Sequence, residues 1–83
     1  MRLEEIEAID DVERLIILRK RLNMNQKEFS EHIGYTHIYL AYIENYKKPF
    51  TRKLNKKINQ FLNTIPKEYT NFVNMERKNN VDQ

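Results

Sequence analysis

Residues 25–44 read NQKEFSEHIGYTHIYLAYIE, and this stretch decides the fold. It contains Gly34, the only glycine of an 83-residue chain. A lone glycine between two helical patterns indicates a position that needs a left-handed backbone. Before it, Asn25 can cap a helix that has Glu28 at its third position, as in a capping box. After it, Thr36 can cap a second helix.

The helix after this turn has an apolar pattern of its own. Leu40 and Ile43 recur three residues apart, which predicts one inward-facing row. A helix, a three-residue turn that contains glycine and a second helix form the helix-turn-helix arrangement. Its second helix usually enters the major groove of DNA. The stretch therefore predicts a helix-turn-helix unit over residues 26–45.

The composition fits one small domain that lacks cross-links. The chain has no cysteine, so neither a disulfide nor a cysteine-bound zinc ion can support its core. His32 and His37 are separated by a turn and have no carboxylate or thiol partners, so we expect no metal and no cofactor. No apolar run reaches membrane length, and residues 1–5 are acidic where a secretory signal is basic. We expect a cytoplasmic protein.

Charge is segregated along the chain. Residues 1–13 carry one basic and six acidic groups, a net charge of −5. Residues 14–57 carry eleven basic and three acidic groups, a net charge of +8. The predicted helix-turn-helix lies inside this basic section, as a polyanion-binding surface requires. Within it, Lys56 and Lys57 are interpreted as solvated helix residues.

Apolar spacing predicts helices and no strand. The first helix ends near residue 22, the second spans about 26–33 and the third spans about 37–45. After the third helix, Lys47, Lys48 and Pro49 break the pattern. A fourth follows, and Pro66 ends it or begins a last short helix through Tyr69, Phe72 and Val73. The inward residues expected on the first four are Ile9, Val12, Leu15, Ile16, Leu18, Leu22, Phe29, Ser30, Ile33, Leu40, Ile43, Leu54, Ile58, Phe61 and Leu62.

These patterns predict a compact all-α fold of four to five helices. We divide the chain into an acidic N-terminal extension (residues 1–11), a helix-turn-helix domain (12–75) and a polar, frayed tail (76–83). The apolar residues near the end either form a dimer patch or cap the core: Ile65, Tyr69, Phe72 and Val73.

Residues 15–62 resemble the Cro/C1-type (XRE) helix-turn-helix family of phage and bacterial repressors. The most specific shared element is an ordered set at the family's own spacings: Arg19, Gln26, Gly34, Thr36 and Glu44. The resemblance implies a lambda-repressor-like DNA-binding domain in which helices 1 and 4 support the helix-turn-helix. It also implies that Arg19 and Glu44 form a largely buried salt bridge.

Two departures from the family pattern concern the loop after the third helix. The family usually has a glycine two residues after the glutamate, and this chain has Tyr46 there. The segment from Glu44 to Pro49 is also one residue shorter than the common form. We therefore expect this loop to follow a different path. The acidic residues 1–11 are extra to the motif.

The outward face of the third helix is predicted to meet DNA. At about 100° per residue, Ile38, Tyr42 and Asn45 point away from the apolar row. The resemblance implies that His37, Ile38 and Tyr42 read bases. Without arginine for guanine or an amide for adenine, this set predicts weak direct readout that favours A·T-rich operators. The residues assigned to DNA phosphates are Gln26, Thr36, Tyr39, Asn45, Lys47, Lys48 and Arg52.

Tyrosines recur through the same region, at Tyr35, Tyr39, Tyr42 and Tyr46. Three interpretations of this stripe stay open. It is a DNA-facing surface whose hydroxyls meet phosphates, a protein-binding face, or a partial cover for the edge of the core.

We predict a small bacterial or phage transcriptional regulator, most simply a repressor that occupies a promoter as a homodimer on double-stranded DNA. The sequence shows no nucleophile–base set and no glycine-rich phosphate loop, so we do not expect an enzyme. Two alternatives stay open. One is a protein-binding module on the same fold (antitoxin, antirepressor or assembly partner), and the other is an accessory DNA-architectural factor.

Overall fold

The computed structural model of the chain describes residues 1–66. In that range the chain forms a short 3-10 helix, Leu3–Glu5, followed by four α-helices: α1 (Asp11–Arg21), α2 (Gln26–Ile33), α3 (His37–Glu44) and α4 (Arg52–Thr64). The described residues contain no strand, which confirms the all-α fold class. None of the described helices is long and apolar enough to cross a membrane. Three predicted features lie outside the described residues: the polar tail, the last short helix and most of the dimer patch. Of that patch only Ile65 is described, and it is half-buried.

Every α-helix begins at a side chain that accepts a hydrogen bond from the backbone N–H three residues later. These caps are Asp10, Asn25, Thr36 and Thr51. At Asn25 the capping is reciprocal, because the Glu28 carboxylate also accepts from the Asn25 N–H at 2.9 Å. The capping box predicted at Asn25 and the cap predicted at Thr36 are both confirmed. Such caps supply partners for the unpaired N–H groups of each first turn.

Three helices end where one residue adopts a left-handed backbone. Gly34 has a φ of 79° after α2, which confirms the role predicted for it. Asn23 (φ 58°) follows α1 and Tyr46 (φ 61°) follows α3. Asparagine tolerates this region better than other side chains, whereas a tyrosine there is unusual. The last carbonyls of α3 are still paired, because the Tyr46 N–H donates to Ile43 and the Lys47 N–H donates to Tyr42.

The four helices bury their apolar rows in one common core. The helix α3 packs against α1 and α2, and α4 packs against α2 and the 3-10 helix. The Phe29 ring of α2 meets the Phe61 ring of α4 edge to face, with ring centroids 5.8 Å apart. The inward residues predicted from the sequence are buried with two exceptions: Ile16 is half-buried and Ile9 is exposed.

The prediction that Ile9 belongs to the apolar row of the first helix is wrong. Its side chain is 83% exposed. The backbone of Asp10 is extended (φ −157°), and its carboxylate caps α1, so the helix begins only at Asp11. Ile9 therefore precedes the helix and does not share its inward face.

The acidic N-terminal segment contributes to the core. Leu3 and Ile6 are fully buried, and both belong to the same cluster as the helix residues. The buried Asn59 of α4 holds this segment, because its side-chain oxygen accepts from the Leu3 N–H at 2.9 Å. Its amide group also donates to Glu4, and this hydrogen bond lowers the pKa of the Glu4 carboxyl. The Arg14 Nε donates to the Ile6 carbonyl at 2.9 Å.

Candidate nucleic-acid interface

A largely buried ion pair links α1 to α3. The Arg19 guanidinium donates to both carboxylate oxygens of Glu44, at 2.8 and 2.9 Å, so the pair is bidentate. The two side chains are only 12% and 6% exposed. The Arg19 Nη1 also donates to the Met24 carbonyl at 3.0 Å. The predicted salt bridge is confirmed, and it ties α3 to α1.

The phosphate-binding candidates at the starts of α2 and α3 are partly engaged within the protein. The Gln26 Nε2 donates to Glu44 at 3.0 Å, so one amide hydrogen is used and the other is left for a ligand. The Thr36 hydroxyl accepts from the Tyr39 N–H at 3.1 Å, which leaves its own hydrogen as a donor. Both side chains can therefore serve the fold and still donate to a phosphate oxygen.

The two faces of α3 divide as the sequence predicts. Leu40 and Ile43 are fully buried. On the opposite side His37, Ile38 and Tyr42 are exposed, with exposed fractions of 56% for Ile38 and 44% for Tyr42. This side of α3 is open to solvent.

Asn45 lies at the end of α3 and also points to solvent. Its side-chain Nδ2 donates to the Ala41 carbonyl at 2.8 Å. The amide therefore caps the helix, and one donor hydrogen is already in use.

The four tyrosines do not form one stripe along α3, contrary to the prediction. Only Tyr39 and Tyr42 belong to this helix; Tyr35 precedes its cap and Tyr46 follows its end. The Tyr35 and Tyr39 rings stack with centroids 4.9 Å apart, and both are half-buried against the core. Tyr35 and Tyr39 thus cover the edge of the core. Of the four tyrosines, only Tyr42 lies on the outward side of α3 with Ile38.

Comparison with known families agrees with this geometry. The sequence profile of the helix-turn-helix family matches residues 15–69, about two thirds of the chain. The chain belongs to the Cro/C1-type helix-turn-helix family. Searches against proteins of curated function and against solved structures found no significant match. The domain of this family binds double-stranded DNA and is not an enzyme.

The loop after α3 departs from the helix-turn-helix pattern at Tyr46. This residue stands where the family usually has glycine, and it keeps the left-handed conformation that glycine adopts at no steric cost. Its hydroxyl donates to the Asp10 carboxylate at 2.8 Å. The other Asp10 oxygen accepts from the Glu13 N–H and caps α1. One carboxylate thus joins the start of α1 to the end of α3, a contact that sequence analysis missed.

The ionisation of Asp10 and Tyr46 reflects this contact. The hydrogen bonds from the Glu13 backbone and from Tyr46 lower the pKa of Asp10. The bond to Asp10 raises the pKa of Tyr46. A lowered acid pKa stabilises the fold at neutral pH, and this stability is lost as the pH falls through the lowered value. For Tyr46 the stabilisation is present at neutral pH and is lost as the pH rises through the raised pKa.

We expect Tyr46→Gly to melt several degrees above Tyr46→Ala. Both variants lose the ring and its bond to Asp10, and they differ only in a Cβ at a φ of 61°. In an unstrained position glycine would be the less stable of the two, because it has more freedom in the unfolded chain. Thermal unfolding of the two variants at pH 7 measures the difference. A higher midpoint for Tyr46→Ala would show that the backbone there is not strained.

Basic side chains follow α3. Lys47, Lys48 and Arg52 are exposed, and the backbone N–H groups of both lysines donate to the Tyr42 carbonyl. This pairing folds the short loop tightly against the end of α3. The Lys48 ammonium lies 6.0 Å from the centre of the Tyr39 ring. The described residues hold no cluster of three or more His, Asp or Glu side chains that could bind a metal ion.

Proposed function

We propose that this helix-turn-helix protein is a repressor that binds an operator with α3 in the major groove. The observation that carries the proposal is the division of α3 into a fully buried row and an exposed row on a rigidly held helix. A helix held by a buried bidentate ion pair presents its outward side chains at a fixed angle. Groove binding needs such a fixed angle, because each base contact depends on position.

The contacts divide into base readout and phosphate clamping. In the proposal, His37, Ile38 and Tyr42 meet base edges. Ile38 packs on thymine methyl groups, and Tyr42 supplies one hydrogen bond, so recognition is weak and favours A·T-rich operators. The cytoplasmic protein would act as a homodimer on two half-sites about one helical turn apart. The side chains that would meet phosphates are Gln26, Thr36, Tyr39, Asn45, Lys47, Lys48 and Arg52.

One observation favours a protein partner instead. Ile38 and Tyr42 are neighbouring large apolar side chains in solvent, and tyrosine is enriched in protein interfaces. A regulator that inhibits another protein through this pair would use the same helix without a groove. Removing Ile38 and Tyr42 distinguishes the two functions. Loss of DNA specificity supports operator binding, and loss of a protein partner supports the alternative.

The double variant Ile38→Ala, Tyr42→Ala tests whether α3 reads bases. Neither side chain belongs to the core cluster, so the free energy of unfolding should change by less than about 0.5 kcal/mol. Selection of bound duplexes from a random pool should show relaxed base preference at one or two positions per half-site. We expect the loss to lie at the low end of the roughly 1–3 kcal/mol of a good base contact.

The matched control is Lys47→Ala, Lys48→Ala. Phosphate contacts carry no sequence information, so this variant should weaken all duplexes alike and reduce the salt slope by about 2. Gln26→Ala is a poorer control, because Gln26 is hydrogen-bonded to Glu44 and its loss also disturbs the scaffold. If the Ile38, Tyr42 variant keeps full DNA specificity and loses a protein partner, the operator proposal fails.

A further inference from the structure

The outward face of α4 carries a cluster of cations that the helix-turn-helix does not use. We call it the helix-4 lysine face: Lys53, Lys56, Lys57 and Gln60, all of them exposed. At about 100° per residue these four side chains share one side of the helix. The opposite side holds the fully buried residues Leu54, Ile58 and Leu62. The face is therefore a second basic surface on a different helix from α3.

None of these lysines forms an ion pair in the described part of the chain. The helix α4 contains no acidic residue between Arg52 and Thr64. The ion pairs among residues 1–66 involve Arg2, Arg14 and Arg19, and none of the face lysines. A helix face that is merely solvated usually mixes both signs. This face carries one sign alone.

The arrangement is also unfavourable for the isolated helix. Lys53 lies in the first turn of α4, where the helix macrodipole is positive and disfavours cations. Lys53 is three residues from Lys56 and four from Lys57, spacings at which like charges repel. A bound polyanion would remove both costs.

We infer that the helix-4 lysine face binds the phosphate backbone of a second DNA segment, so that the protein bridges two duplexes. Three ammonium groups and an amide can all donate hydrogen bonds to phosphate oxygens. The helix α3 packs on α1 and α2, whereas α4 packs on α2 and the 3-10 helix, and both point their apolar rows into one core. The two faces therefore lie on different helices that share one core.

The acidic segment of another copy of the chain is a less suitable occupant. Several of its carboxylates already have partners within the molecule. Glu4 is bonded to Arg2 and Asn59, Asp10 to Tyr46, and Asp11 to Arg14. DNA offers an unbroken row of free phosphates. This bridging goes beyond operator binding and does not require a promoter.

The test is capture of one duplex by another. A random-sequence duplex is fixed to beads, the full chain is added, and retention of a second, fluorescent duplex is measured at several salt concentrations. The variant Lys53→Gln, Lys56→Gln, Lys57→Gln should retain at least about tenfold less of the second duplex. Its affinity for a single duplex in solution should change less than about twofold. Because three ammonium groups no longer neutralise phosphates, the log–log salt slope of capture should fall by about 2–3.

Two variants serve as controls. Replacing the same three lysines with arginine keeps the charge and should keep capture. Replacing Lys67, Arg77 and Lys78 with glutamine removes the same charge outside the described residues and should also keep capture. Because like charges leave α4, the glutamine variant of the face should fold with an unchanged or higher melting midpoint.

Three results would overturn the inference. The natural chain could retain no second duplex. The glutamine variant of the face could retain as much as the natural chain, in which case another surface forms the bridge. That variant could also weaken single-duplex binding as much as capture, in which case the face contacts the same duplex as α3.

Discussion

Replacing either Arg19 or Glu44 with alanine is expected to lower the free energy of unfolding by roughly 3–5 kcal/mol. Each change leaves one charge in a site where the two side chains are only 12% and 6% exposed. The remaining partners do not compensate. Glu44 would keep only the neutral donor of Gln26, and Arg19 would keep only the Met24 carbonyl. For a domain of this size such a loss is a large share of the total stability.

Denaturant unfolding of the two single variants and the double variant measures this coupling. Removing both partners leaves no buried charge, so the double variant should lose far less than the sum of the single losses. Asp11→Ala is the control, because it removes only the 3.0 Å ion pair to Arg14, whose side chains are 53% and 27% exposed, and leaves the bond from Arg14 to Ile6 in place. This change should cost about 0–1 kcal/mol. Additive effects below about 1 kcal/mol at Arg19 and Glu44 would contradict the buried pair.

Leu3→Ala is expected to cost about 2–5 kcal/mol, although Leu3 lies in an acidic segment before the family motif. The side chain is fully buried and belongs to the common core, so its removal leaves a cavity between α1 and α4. The backbone N–H of the same residue is held by Asn59. The first residues are therefore part of the folding unit.

Ile9→Ala is the matched control for Leu3→Ala. Both are aliphatic residues of the same segment, but Ile9 is 83% exposed and should change stability by less than about 0.5 kcal/mol. Thermal or denaturant unfolding of both variants is sufficient. Equal, small effects would show that the segment is not packed on the core.

Local signals in the sequence predicted most of the helix-turn-helix. Caps, a left-handed glycine and apolar spacing act over three or four residues, so Asn25, Gly34 and Thr36 could be assigned directly. Arg19 and Glu44 are distant in the chain, and only the family resemblance paired them. Ile9 was misplaced because its spacing from Val12 and Ile16 fits a helical row, whereas the Asp10 cap begins the helix only at Asp11.

Contacts between distant segments could not be predicted. Leu3 and Ile6 are two apolar residues in an acidic stretch too short to show a period. The bond between Tyr46 and Asp10 spans 36 positions and depends on a left-handed tyrosine. That conformation also explains why a regular spacing of tyrosines did not give one surface. Residues spaced three and four apart share one face only within a continuous helix.

Selection of double-stranded DNA from a random pool, at low and at moderate salt, tests most directly whether α3 reads an operator. We predict enrichment of A·T-rich sites with two half-sites about one helical turn apart. We also predict that affinity falls with salt, at roughly −0.9 in log–log slope for each phosphate contacted. A folded chain that binds no duplex at low salt, or that enriches no sequence, would contradict operator reading by α3.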